Sequence, residues 1–133
     1  DKTFIGGGSY NTLGGGALVS SIIGGSNNAI SGTSSTITGG GSNTIHTPNS
    51  NTSIVGGTNN TINSGAHRSA IIGGQNITAT VSDTVYVPKL HATGIPAFAD
   101  DAAAAALATG SFFQTNGAGA APLNVAGILM IKQ

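Results

Sequence analysis

Cysteine is absent from this chain of 133 residues, as are tryptophan and glutamate, and only four basic and four acidic residues carry a formal charge. Without Cys no disulfide and no thiolate metal site contributes, and redox chemistry leaves the compartment open. A formal net charge of zero removes attraction to nucleic acid or anionic lipid as the main business of the chain. No apolar run nears the roughly 18 residues that span a bilayer. The longest, Ala102 to Ala108, is short and alanine-dominated. No membrane insertion and no nucleic-acid partner are therefore expected. The chain opens on Asp1 rather than Met, as a processed chain or a piece of a longer protein would.

What the chain has instead is glycine, 22 residues of it, together with Ser, Thr and Asn. A Gly/Ser linker would have such a composition, but a linker has no use for regularly spaced Ile and Val. Those residues sit in a recurring signature: Phe4-Ile5-Gly6-Gly7, Ile22-Ile23-Gly24-Gly25, Ile37-Thr38-Gly39-Gly40, Ile54-Val55-Gly56-Gly57 and Ile71-Ile72-Gly73-Gly74. The first glycines fall at 6, 24, 39, 56 and 73, in steps of 18, 15, 17 and 17 residues. A repeat this short cannot bury an apolar face alone, so successive copies must stack. Residues 1–80 are accordingly expected to form a Gly-Gly repeat β-solenoid or β-roll.

Neighbouring residues of a strand point to opposite faces. Ile22 and Ile23 therefore cannot both enter one core, and neither can Ile54 and Val55 or Ile71 and Ile72. One member of each pair belongs inside the coil and the other against a further layer, for which a second subunit is the natural candidate. The Gly-Gly pair supplies a tight corner. Asn11, Asn28, Asn43 and Asn60 recur at matching places and are expected to form side-chain ladders between coils. The segment His46 to Asn51, with Pro48, reads as a loop bulging from the regular coils.

Residues 81–96 read as a transition, with a strand over Val81 to Val87 ended by Pro88. Residues 97–133 change character. Ala97 through Ala108 is expected to form a short helix capped by Asp100 or Asp101 and stopped by Gly110. Ser111 to Thr115 and Gly127 to Lys132 then read as a β-hairpin whose loop opens with Asn116-Gly117. So small a segment makes a poor core by itself, and packing against copies of itself would complete it.

The coils, with their Ser-x-x-Gly-Gly-x-x-Asn pattern, resemble the head repeats of trimeric autotransporter adhesins and the similar repeats of phage tail fibres. The closing Pro96-Ala97-Phe98-Ala99-Asp100-Asp101-Ala102-Ala103-Ala104, followed by Gly110-Ser111-Phe112-Phe113-Gln114-Thr115 and a last apolar strand, resembles a module that ends many phage tail and virion proteins. Here Phe113 stands where that module usually has Tyr, Gln114 where Arg is common, and Asn116 to Ala126 is a longer insertion. The resemblance implies a homotrimeric phage fibre, spike or virion appendage with three chains about one axis. The fold class it implies is mainly β, an intertwined or stacked trimeric solenoid with a helix-plus-hairpin cap over 97–133. Virion and extracellular localisation follows, with the head of a bacterial surface adhesin as the alternative. An autotransporter would end in membrane-spanning strands of about 10 alternating residues, whereas this chain ends on Ile131-Lys132-Gln133.

Chemical sites are few. No Gly-rich run has a phosphate-binding pattern, since neither G-x-x-x-x-G-K-[ST] nor G-x-G-x-x-G occurs with a following cation. Glycoside hydrolysis needs two carboxylates about 5–10 Å apart, and only Asp1, Asp83, Asp100 and Asp101 are available. No enzyme, no catalytic residue and no cofactor is expected. On a threefold axis three copies of His46, His67 or His91 could in principle hold a metal, but there is no His-x-His pair and polar loop histidines are the preferred reading. His67-Arg68 is expected to be a solvated cationic loop. An ice-binding rod ranks last, because no repeated Thr-x-Thr ladder is present. The expected partners are the chain itself, the rest of a virion or fibre, and a host cell-surface glycan met by loops such as Thr47 to Thr52 or Gly117 to Ala126.

Overall fold

The computed structural model describes residues 2–91, 93–98, 107–108, 111–116 and 126–131, which are mainly β and hold no helix. Two compact units divide the chain, Asp1–Leu90 and His91–Gln133.

The first unit is a parallel β-solenoid. One six-stranded sheet stacks Phe4–Ile5, Ser21–Ile22, Thr36–Ile37, Ser53–Ile54, Ala70–Ile71 and Val85–Tyr86. A five-stranded sheet stacks Thr12–Leu13, Ala29–Ile30, Thr44–Ile45, Thr61–Ile62 and Thr78–Ala79. In the first sheet Ile5, Ile22, Ile37, Ile54, Ile71 and Tyr86 lie in one register, 17, 15, 17, 17 and 15 residues apart. The stack corrects the alignment of the first copy: Ile5 pairs with Ile22, so Gly6 takes the place of Ile23, and Gly7-Gly8 is the corner. The solenoid also runs on through Val85–Tyr86, which pairs with Ala70–Ile71.

A shorter unit generates the coil. Asn27-Asn28-Ala29-Ile30 and Ser34-Ser35-Thr36-Ile37 each contain a left-handed residue, a buried polar residue, an outward residue and a buried Ile. This unit occurs twice per coil, so a corner precedes every strand. The left-handed places are Tyr10, Asn27, Ser42, Asn59 and Asn76 at one corner, and Val19, Ser34, Asn51, Arg68 and Asp83 at the other. Asn and Asp tolerate that backbone best after Gly, which explains the Asn content better than solubility does. The Gly-Gly pair adds a close approach: Gly40 has φ +87°, and a Cβ there would run into the carbonyl oxygen of Gly57 one coil on.

Seven isoleucines, Ile22, Ile30, Ile37, Ile45, Ile54, Ile62 and Ile71, are fully buried and fill the coil interior. Each contributes about 1.5–3 kcal/mol of apolar burial. Asn28, Asn43 and Asn60 are also fully buried, a cost that only complete hydrogen bonding offsets. It is met: Oδ1 of Asn28 accepts the N–H of Asn43 at 3.0 Å and Oδ1 of Asn43 that of Asn60 at 3.0 Å. Each Nδ2 donates to two glycine carbonyls, in Asn43 to Gly39 and Gly57. At the opposite corner hydroxyls do the same work, Ser20 Oγ accepting from the Ser35 N–H at 3.0 Å and Ser35 Oγ lying 2.9 Å from Thr52 Oγ1.

In the second unit Phe112–Asn116 and Ala126–Ile131 form the expected antiparallel hairpin. Ala97–Phe98 pairs parallel to Phe112–Asn116, so these two residues are strand and not the start of a helix. The carbonyl of Pro96 accepts the Gln114 N–H at 2.9 Å and holds this segment extended along the hairpin edge. Leu107 and Ala108 are not helical either. Residues 99–106, with Asp100 and Asp101, and the loop 117–125 lie outside the described residues.

Candidate functional site

The two sheets present different outer faces. On the first, the side chains one place after the buried Ile form a row of Ile23, Thr38, Val55, Ile72 and Val87 along the coils. The apolar members are 49%, 46%, 45% and 43% exposed. Strands lie about 4.8 Å apart, so Val55, Ile72 and Val87 form a continuous apolar stripe, with Ile23 joining the row beyond the exposed Thr38. The sequence argument for two opposed apolar faces holds within the chain: Ile22, Ile54 and Ile71 go in, and Ile23, Val55 and Ile72 go out.

On the second sheet the outward row is Thr12, Ala29, Thr44, Thr61 and Thr78. One hydroxyl per rung therefore stacks over most of that face. The row is invisible as a sequence motif because its members are separated by whole coils.

The third feature lies at the corner that leads from the second sheet to the first. Coils here carry either a long or a short connection. Gly15-Gly16, Thr47-Pro48 and Ser64-Gly65 occupy the long ones, while Gly32 and Val81 follow their strands with two residues fewer. Over the short corner at Gly32-Thr33 a groove of about 320 Å³ opens, bounded by Gly16, Thr47, Pro48, Asn49 and His67. A Cβ on Gly16 would meet Thr47 two coils away, so the neighbouring corners lean over the shortened one. Asn49 in the groove wall is 2% exposed. Its Nδ2 donates to the carbonyls of Ile62 and Asn63 at 3.2 and 2.9 Å, and its Oδ1 has no partner. The bulging loop read from sequence is thus only partly a bulge, since Asn49 is buried.

The titratable residues behave as follows. Arg68 is not a free cation: its Nη2 donates to Asp83 Oδ2 at 2.8 Å and its Nε to the other carboxylate oxygen. That pair closes Asp83 within its own chain, and the Arg68 hydrogen bonds hold the Asp83 carboxyl below its ordinary range. The N–H groups of Thr80 and Val81 both donate to the Tyr86 hydroxyl oxygen, at 3.1 and 3.0 Å, and hold its pKa below the ordinary tyrosine value by favouring the phenolate. His46 and His91 are exposed. His67 is half-buried in the groove wall, with Nδ1 3.2 Å from Ser50 Oγ. Among the described residues no three His, Cys, Asp or Glu side chains come together as metal ligands.

Sequence reasoning located the Asn ladder and the split of each Ile pair. It missed the groove, Asn49 and the Arg68–Asp83 pair, for which the only signal was the alternation of 17- and 15-residue steps. Set against known protein families, curated proteins and solved structures, the chain gives no match.

Proposed function

We propose that the chain is a structural and adhesive part of a homotrimeric fibre, spike or virion appendage. The solenoid supplies a stiff, repeating body, and exposed loops meet a host surface. The observation that carries this reading is the exposed row of Ile23, Val55, Ile72 and Val87. A stripe of this kind on a neutral, Gly-rich coil marks an interaction face, and three copies of one chain about an axis cover all three stripes at once. The interior polar ladders are already satisfied within the coil, so assembly asks for apolar contact and not for new buried hydrogen bonds. In the second unit Phe112 is 55% exposed, and a trimer gives this small hairpin the packing it lacks alone.

The test is a set of single substitutions, Ile23→Asp, Val55→Asp and Ile72→Asp. An unpaired charge in a dry interface costs several kcal/mol, so each variant should dissociate to folded monomers with an unchanged far-ultraviolet circular dichroism spectrum. Retention of the wild-type assembly by all three would show that the stripe faces solvent and would remove the support for this reading.

A further inference from the structure

We propose that the groove over the shortened corner at Gly32-Thr33 is a binding site for one neutral sugar residue of a glycan. This deepens the attachment reading above, on which it rests, by assigning the contact to named residues.

The space arises from the chain itself. The second coil lacks two residues that its neighbours carry at this corner, and a Cβ at Gly16 or Gly32 would press on Ser31 or Asn49, so glycine lets the groove wall pack closely. The missing residues leave about 320 Å³ open, at the lower end of the roughly 300–1,000 Å³ typical of small-ligand sites.

Asn49 gives the site its polarity. A buried polar atom without a partner costs about 1–3 kcal/mol. The amide cannot turn over to escape this, because Nδ2 holds the carbonyls of Ile62 and Asn63. The unpaired atom is therefore an acceptor, and it lacks a donor. Nor does the fold need Asn here: Ala17 and Ala66 stand at the matching place in two other long corners, both buried. Oδ1 is closed off from solvent, so a hydroxyl in the groove reaches it, directly or through one bridging water, once the wall formed by Asn49 gives way.

The rest of the lining sets the ligand class. No carboxylate or cation borders the groove, and Arg68 next to it is engaged by Asp83. That disfavours phosphate, sialylated or sulfated ligands, and divalent cations alike. Ser50 and His67 are hydrogen-bonded to each other through Nδ1, which leaves the Nε2 edge of the imidazole for a ligand. Pro48 and the glycine backbone offer carbon surface to the C–H face of a ring. Polar edges around an apolar floor suit a neutral hexose or N-acetylhexosamine.

The experiment uses the full ¹⁵N-labelled chain, titrated with glucose, galactose, N-acetylglucosamine and their β-linked disaccharides at millimolar concentration. At least one should shift the amide resonances of Gly16, Gly32, Thr33 and Ser50 saturably. Asn49→Ala and His67→Ala should each weaken that binding tenfold or more, while Thr61→Ala on the second sheet leaves it unchanged. Asn49→Ala should melt close to wild type, and should it not, His67→Ala alone decides. Absence of groove shifts with every neutral sugar overturns the proposal, as does binding unaffected by His67→Ala, or tighter binding of sialyllactose or of a neutral tripeptide at the same amides. The mass of the same samples separates the two readings: a lost site on an intact assembly removes the sugar proposal only, and sugar binding by a monomer removes the trimer only.

Discussion

Oδ1 of Asn43 accepts the backbone N–H of Asn60 at 3.0 Å, one coil further along, while Nδ2 of Asn43 reaches the Gly57 carbonyl at 3.0 Å. The same side chain thus ties two backbone groups of the next coil and, through Gly39, one of its own. Asn43→Ala leaves those groups buried and unpaired, and should cost about 2–4 kcal/mol. Asn11→Ala at the first rung, where the Nδ2 bonds are exposed and only the bond from the Asn28 N–H to Oδ1 is part-buried, should cost less, about 1 kcal/mol. Urea unfolding of the two variants side by side checks the ratio, and equal losses would mean the buried ladder adds nothing beyond a surface hydrogen bond.

Val19 tests the corner chemistry in the stabilising direction. It has φ +54°, a conformation in which a β-branched side chain is strained, whereas the same corner of later coils carries Ser34, Asn51 and Asp83. Val19→Asn should raise stability by about 1 kcal/mol. An unchanged or lower midpoint would show that Val19 packs against something that repays its backbone.

Much of this architecture was legible beforehand because it is repeated. Ile-x-Gly-Gly recurs with visible spacing, and the alternation of a strand alone separates Ile22 from Ile23. The first copy misled because Gly6-Gly7-Gly8 offers two possible pairs, and only the stacking of Ile5 on Ile22 and of Ser9 on Ser26 decides between them. The rung at Val85–Tyr86 was hidden for a related reason: Pro88 stands where Gly73 stands one coil earlier. The groove left no motif at all, being made by two residues that the second coil does not have. Ala97–Phe98 went to a strand because edge pairing with the Phe112–Asn116 strand overrides the helix preference of a neighbouring alanine run.

Acid should affect the solenoid little, and through one pair. Asp83 has its carboxyl held below the ordinary range, first by the hydrogen bonds from Arg68. A depressed carboxylate stabilises fully above its unfolded value and loses that contribution as pH falls through its folded value. The pair is exposed, so the effect is small. Between about pH 5 and pH 2, wild type should lose slightly more stability than Asp83→Asn. A steeper acid loss in Asp83→Asn would assign the dependence to another carboxylate. Tyr86 gives the alkaline counterpart: its lowered pKa means the fold favours the phenolate, so Tyr86→Phe should remove a gain in stability that wild type shows as pH rises through that ionisation.

The central claim is that the stripe of Ile23, Val55, Ile72 and Val87 is covered by two further copies of the chain. Its most direct measurement is the native mass of the purified full chain by light scattering or native mass spectrometry. The account predicts three times the 12.8 kDa of one chain, unchanged on dilution into the micromolar range. A stable, well-folded species at the mass of a single chain would contradict it.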